Sequence, residues 1–265
     1  MNRIENLYKS LKGKRSAFNA YLCAGDPDLD TTHDMILAFE KSGVDMIELG
    51  MPFSDPVADG PVIQAAGQRA IERGVTLPKV LELVQRVRKQ SQLPIALMTY
   101  YNIIHKFGIE RTVRECKAAG IDGFVIPDLI PEEAGELIAA ARAAELATIF
   151  FVAPTSTDDR VALADRESTG FIYCVSVTGI TGARTALPDD LRDYIVRTRA
   201  KVTKPLVVGF GVSNREQVQA LGEVADGVIV GSAIVREIEA ASRLPRAEMV
   251  KKVAAFASEL AGTRR

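Results

Sequence analysis

The 265-residue sequence is poor in the residues that many metal, redox and nucleic-acid sites need. Its two histidines, His33 and His105, do not have the spacing of a metal-ligand pair. Its three cysteines are odd in number, lie far apart and form no CxxC motif, which favours buried thiols in a reducing compartment. The net charge of −1 provides no basic excess for nucleic acid or for an anionic membrane surface.

Long hydrophobic runs are also missing. No apolar segment approaches the ~18 residues of a membrane span, and the polar N-terminal segment 1–15 lacks the apolar core of a signal peptide. The composition, 47% hydrophobic and 25% charged, is that of an ordinary globular protein. We therefore expect a cytoplasmic protein with neither a nucleic-acid nor a membrane partner.

Eight short apolar segments alternate with longer helical patterns along the chain. They are rich in Val, Ile, Phe and Tyr and are bounded by Gly, Pro or Asp, which is typical of buried parallel strands. The eight segments are 17–24, 44–50, 94–98, 123–127, 148–152, 170–175, 205–209 and 226–231. Between them, Thr76 is a candidate helix cap, and Ser213 with Glu216 predicts a capping box.

This alternation predicts an α/β fold, a single (β/α)8 TIM barrel domain spanning residues 1–265. We expect an extra N-terminal helix over the barrel floor and extra helices after strands two and eight, the first of these near 62–72. An open doubly wound sheet is the alternative, although the GxGxxG motif of its first turn is absent.

Glycine-bearing turns follow the last two predicted strands, GFG at 209–211 and GSA at 231–233. In such barrels these loops bind phosphate through backbone N–H groups and helix N-termini. Gly211, Gly231 and Ser232 are therefore candidate phosphate-binding residues, and Gly182, after strand six, could close the cage. The alternative is that these glycines are ordinary turn and cap residues.

Two carboxylates frame the segment ELGMPFSDPVADGP, residues 48–61. Glu48 ends strand two on the same face as Val44 and Met46, so it is expected at the barrel mouth, where partial desolvation favours a raised pKa and proton transfer. Asp59 can meet Glu48 only if the rigid loop between them folds back over the mouth. The alternatives are a Glu48 paired with a cation and an Asp59 that only caps the following helix.

Two other chemistries are less compatible with the sequence. Five carboxylates at or near strand ends could gather around Mg²⁺: Asp26, Glu48, Asp55, Asp59 and Asp128. The two available nitrogen ligands, His33 and His105, do not have metal-ligand spacing, and we expect no metal. No lysine ends a strand at the mouth, which argues against a Schiff base. With metal and Schiff-base chemistry disfavoured, the remaining chemistry is acid–base catalysis on a phosphate-bearing substrate.

The segment 177–188 after strand six is longer than an ordinary βα turn and carries two glycines. It predicts a mobile lid, from which Thr181 could hydrogen-bond Asp59. An ordinary flexible loop is the alternative.

The sequence resembles the alpha subunit of tryptophan synthase over nearly its whole length. The resemblance rests on motifs in the order that this family has: GDPD (25–28), ELGMPFSDPVADGPVIQ (48–64), TGITGAR (178–184), GFGVS (209–213) and GSAIV (231–235). It implies a lyase that cleaves indole-3-glycerol phosphate by retro-aldol chemistry to indole and glyceraldehyde 3-phosphate, without a cofactor.

The resemblance also implies roles for individual residues. Glu48 would shuttle protons, Asp59 would hydrogen-bond the indole N–H, and Tyr173 would assist near the substrate. The other implied substrate contacts are the apolar walls Tyr21, Tyr100 and Phe210, and the phosphate-end residues Phe210, Gly182, Gly211, Gly231 and Ser232.

A partner is implied as well: a beta subunit that uses pyridoxal phosphate and consumes indole, in an alpha2beta2 complex. The loop from Pro52 to Val57, including Asp55, would face that partner, with Asn102 and Asp128 at neighbouring strand ends. The alternatives to this function are another phosphate-binding barrel enzyme and a non-catalytic barrel that serves as an allosteric scaffold.

Overall fold

Eight parallel strands close into a barrel in the computed structural model, which describes residues 2–175, 189–209 and 211–262. Each strand pairs with its sequence neighbours, and β1 pairs with β8. The strands are β1 Ala17–Cys23, β2 Met46–Gly50, β3 Ile95–Met98, β4 Gly123–Val125, β5 Ala147–Val152, β6 Ile172–Cys174, β7 Leu206–Gly209 and β8 Gly227–Val230. The predicted (β/α)8 barrel is confirmed, and the open sheet is wrong.

Helices surround this barrel. They are α1 Arg3–Leu11, α2 Leu29–Lys41, α3 Pro61–Glu72, α4 Leu77–Arg88, α5 Tyr101–Phe107, α6 Ile109–Ala119, α7 Gly135–Ala143, α8 Asp158–Glu167, α9 Asp189–Arg199, α10 Arg215–Gly222, α11 Ser232–Ala240 and α12 Arg246–Ala261. The extra helices predicted at the N-terminus, after β2 and after β8 are α1, α3 and α12. A further division after β3, into α5 and α6, was not predicted; it falls at Gly108, whose φ of 92° suits glycine.

Side chains of β1 alternate between two hydrophobic layers. Tyr21 and Cys23 point into the barrel, whereas Leu22 packs outward against the helices. Strand β2 follows the same rule, with Met46 inside the barrel and Glu48 above it at the mouth. The expectation for Val44 was wrong: it precedes the first residue of β2 and packs in the outer layer.

Helix α1 covers the barrel floor, as expected. Its Ile4 and Tyr8 are buried in the interior cluster, and the Tyr8 hydroxyl accepts a hydrogen bond from Asn19 Nδ2 at 2.9 Å. Helix α1 therefore closes the barrel interior at this end, and the candidate catalytic residues lie at the opposite end, where the strands terminate. None of the helices in the described part of the chain has the length and apolar composition of a membrane span.

Two predicted helix caps need revision. The N-cap of α10 is Asn214, whose side chain accepts from Gln217 N at 2.9 Å, so the predicted box of Ser213 with Glu216 lies one residue too early. Thr76 occupies the N-cap of α4, but its side chain makes no cap hydrogen bond.

Candidate active site

A cavity of about 490 Å³ opens at the carboxyl ends of the strands. Its volume lies within the usual range for small-molecule sites. The lining residues are Tyr21, Glu48, Ala58, Asp59, Gly60, Ile63, Met98, Pro127, Phe151, Tyr173, Val175, Gly209, Gly211, Ile229, Gly231 and Ser232. It thus brings together both candidate catalytic carboxylates, Tyr173 and the glycine turns.

Glu48 is the buried acid of this cavity, with 2% of its surface exposed. Its Oε2 accepts a hydrogen bond from the Tyr173 hydroxyl at 3.4 Å, and its Oε1 has no hydrogen-bond partner among the described residues. Burial first, and the charge of Asp59 second, raise the pKa of Glu48 to about 8, while the Tyr173 hydrogen bond opposes the rise. At neutral pH Glu48 is therefore mostly protonated and can give and take back a proton.

Asp59 is half-buried at the end of the returning loop. The following helix α3 has Gly60 as its N-cap and Pro61 as its first residue, so the Asp59 side chain is not a helix cap. The Asp59 carbonyl accepts from Gln64 Nε2 at 2.8 Å, which ties the loop to the helix. Burial raises the pKa of Asp59, and a hydrogen bond with Tyr100 opposes this effect.

Tyr100 supports this loop from behind. Its ring, 2% exposed, stacks on Phe53 with 4.9 Å between ring centroids, and its hydroxyl accepts from Ala58 N at 3.1 Å. Tyr100 does not line the cavity, in contrast to its expected place as an indole wall. The structure instead places it where it orients Asp59.

Two tyrosines cross the mouth over glycines of neighbouring strands. A Cβ on Gly50 would lie 2.6 Å from Tyr21 Cζ, and one on Gly209 would lie 2.6 Å from Tyr173 Cζ. Any side chain there would displace the rings, so Gly50 and Gly209 position Tyr21 and Tyr173. The sequence reasoning did not find this role, because it depends on which strands are adjacent.

The sequence did not predict the apolar wall of this cavity. It is formed by Met98 and Phe151 from β3 and β5, by Pro127 and by Ile63 of α3. The Phe151 and Tyr173 ring centroids are 4.7 Å apart. Phe151 sits in an unbroken apolar run, so its only signal is inward alternation at the end of a strand.

The glycine turns form the other end of the cavity. Helix α11 begins at Ser232 after Gly231, and no side chain caps it. The N–H groups of its first turn therefore lack intrahelical acceptors and suit an anion. Among the described residues that line the cavity none is Lys or Arg, so a phosphate would rely on these N–H groups and the Ser232 hydroxyl. The predicted contacts Thr181, Gly182 and Phe210 lie outside the described residues.

The predicted partner-facing residues lie on the rim around this mouth. Asp55, Asn102 and Asp128 are exposed, and Asp128 Oδ1 accepts from Tyr101 N at 2.9 Å at the start of α5. Pro52, in contrast, is buried and offers little surface to another chain.

The strand-end carboxylates do not gather around a common point. Asp26 is held by Arg69, and Asp128 is bonded to the start of α5. Within the described ranges no group of three His, Cys, Asp or Glu side chains is placed to hold a metal ion.

Comparison with known proteins identifies the family. The family model described as "Tryptophan synthase alpha chain" matches residues 7–264. The tryptophan synthase alpha chain of Geotalea daltonii is 50% identical over 240 residues, covering 90% of this chain and 91% of its own, and that of Geobacter sp. strain M21 is 46% identical over 261 residues, covering 98% and 97%.

Solved structures agree. The tryptophan synthase alpha subunit of Legionella pneumophila is 33% identical with a TM-score of 0.91, covering 99% of this chain and 98% of its own. A chain of tryptophan synthase from M. tuberculosis is 34% identical with a TM-score of 0.87, at the same coverage. The chain belongs to the tryptophan synthase alpha chain family.

Proposed function

We propose that the mouth cavity of this tryptophan synthase alpha chain is the site of the retro-aldol cleavage of indole-3-glycerol phosphate. In this proposal Glu48 donates a proton to the substrate and then accepts one from it. The family makes the chain a lyase of tryptophan biosynthesis. The observation that supports the residue roles most is the buried Glu48, whose pKa is raised to about 8 within one cavity that also contains Asp59 and a helix N-terminus.

The first step is protonation of the indole carbon that bears the glycerol chain. Protonated Glu48 supplies this proton, and the positive charge that develops on the ring nitrogen is stabilised by the Asp59 carboxylate. Asp59 suits this role because it is less buried than Glu48 and faces the same cavity. The flat ring would lie against Phe151, Met98 and Ile63.

The second step breaks the carbon–carbon bond. The glycerol hydroxyl next to the ring gives up its proton to Glu48, the bond electrons return to the ring and neutralise its charge, and the hydroxyl carbon becomes the aldehyde. Glu48 thereby regains the proton that it donated. Tyr173, which donates to Glu48 Oε2, holds the carboxyl group in place during both transfers.

Amide replacements of the two acids test this assignment. Glu48→Gln is expected to lower kcat about 10²- to 10⁴-fold, the usual contribution of a positioned acid or base. Asp59→Asn is expected to lower kcat about 10²- to 10³-fold, the usual contribution of one group that stabilises developing charge. Circular dichroism should show an unchanged fold. Asp30→Asn is the control, since that exposed carboxylate pairs with Arg86 on the barrel exterior. Normal turnover in both site variants would refute the roles.

The family works with a beta subunit, and we propose an alpha2beta2 complex formed through the mouth rim. Val57 is 84% exposed and lies two residues from Asp55 in the loop that we propose faces the partner, so a charge placed there would enter the proposed contact. Val57→Asp should weaken binding of the beta subunit, measured by light scattering after gel filtration. Val196→Asp, at another exposed valine, should not. Equal binding by both variants would count against this rim. Pyridoxal phosphate in the partner, the absence of a cofactor here and a cytoplasmic location stay predictions.

A further inference from the structure

Arg69, on α3, holds the buried carboxylate of Asp26 in the turn after β1. Its Nε and Nη2 donate to Asp26 Oδ1 and Oδ2, both at 2.8 Å. The side chain of Asp26 is 3% exposed and that of Arg69 is 33% exposed. A bidentate ion pair of this kind is geometrically specific. Loss of the arginine would leave the buried carboxylate without a charge partner, which is strongly destabilising. The contact therefore fixes where α3 lies against the end of β1.

The same guanidinium also reaches α11. Arg69 Nη1 lies 3.1 Å from Glu239 Oε1, whose side chain is 57% exposed. A cavity of about 430 Å³ lies beside Arg69 between α3 and α11, so the guanidinium spans a space that apolar side chains do not fill. Arg69 is the polar bridge across that gap.

These two helices carry opposite ends of the active-site cavity. Helix α3 starts two residues after Asp59 and contributes Ile63 to the lining, whereas α11 starts at Ser232. The buried face of α3 is built from the small residues Ala66, Gly67 and Ala70, so no large, fully buried side chain of this helix locks it in place. The position of α3 therefore depends more on the Arg69 bridge than it would for a helix with large core residues.

We propose that Arg69 is a positioning residue that sets the distance between the indole end and the phosphate end of the cavity. It touches no substrate and acts through α3 and α11. The proposal rests on the proposed function, because it needs a substrate that contacts both ends. The affinity for such a substrate depends on the separation of the two helices, whereas the affinity for a small phosphate ester that occupies one end does not.

The test compares two probes on the purified full chain by titration calorimetry. Glycerol 3-phosphate occupies the phosphate end alone, and an indole joined to a phosphate by a three-carbon chain spans the cavity. The double variant Arg69→Gln with Asp26→Asn removes both charges and leaves neither one buried alone. We expect its Kd for the spanning probe to rise about fivefold or more and its Kd for glycerol 3-phosphate to stay within about twofold. The KM for indole-3-glycerol phosphate should rise in parallel with the Kd for the spanning probe, whereas kcat should change less.

Two further variants keep the result interpretable. Arg69→Lys retains the positive charge but cannot form the bidentate pair with Asp26. It should shift the ratio of the two Kd values in the same direction, and it serves as the test if the double variant does not fold. Arg86→Gln removes an exposed ion pair elsewhere and should leave the ratio unchanged. An unchanged ratio in the Arg69 variants, or equal weakening of both probes, would overturn the proposal. Wild-type protein that neither binds the spanning probe nor releases indole would instead refute the proposed function.

Discussion

Replacing Glu48 with glutamine should stabilise the folded protein at alkaline pH while it removes activity. Burial, followed by the charge of Asp59, raises the pKa of Glu48 from 4.5 to about 8. Between these values the folded protein holds a proton that the unfolded chain has released. The free energy of unfolding of the wild type therefore falls as the pH rises through this window, by about 1.4 kcal/mol per pH unit.

The size of the effect follows from the width of the window. From 4.5 to about 8 is about 3.5 pH units, and the part that lies between pH 5 and pH 8.5 amounts to a loss on the order of 4 kcal/mol. Glutamine has nearly the same shape and does not titrate, so the variant avoids this loss. Glu48→Gln should have a stability close to that of the wild type at pH 5 and exceed it by several kcal/mol at pH 8.5.

Urea unfolding of both proteins, followed by circular dichroism at pH 5 and pH 8.5, measures this difference. Titrating groups that do not interact with Glu48 contribute equally in the two proteins, so their contributions cancel in the comparison. A difference in unfolding free energy that is the same at both pH values would refute the reasoning, because it would mean that Glu48 titrates alike in the folded and unfolded chains.

Three substitutions around Glu48 extend this test. Asp59→Asn removes a charge that raises the pKa of Glu48, so the alkaline limb of residual kcat/KM should move to lower pH; an unmoved limb would contradict the coupling. Tyr173→Phe removes a hydrogen bond that lowers this pKa, so the limb should move to higher pH and kcat should fall about tenfold, which steady-state kinetics across pH would measure. Gly209→Ala would put a Cβ 2.6 Å from Tyr173 Cζ and should lower turnover more than about tenfold, whereas Gly135→Ala, at an open position, should not. Equal activity of the two variants in the indole assay would contradict the positioning role.

Regular patterns made the barrel predictable from sequence. Each strand is a short apolar run between glycine, proline or acidic residues, and the alternation of Met46 and Glu48 along β2 correctly placed Glu48 at the mouth. Errors arose at element boundaries. The cap of α10 falls on Asn214 and not on Ser213, because both residue types can cap a helix and only the backbone path decides between them.

The site was less predictable where function depends on neighbouring strands. The sequence places Glu48 and Asp59 in one segment, and the fold brings them to one cavity. The sequence gives no sign that Tyr100 lies behind the loop that contains Asp59, or that Gly50 must leave room for Tyr21. Both facts depend on contacts between β1, β2 and β3, which a single strand pattern does not contain.

Release of indole from indole-3-glycerol phosphate, measured with EDTA present, tests the central claim most directly. The purified chain, alone and with a beta subunit, should release indole and glyceraldehyde 3-phosphate in equal amounts at a rate that EDTA does not change, and Glu48→Gln should release almost none. No release by the wild type under either condition, or full release by Glu48→Gln, would contradict the account.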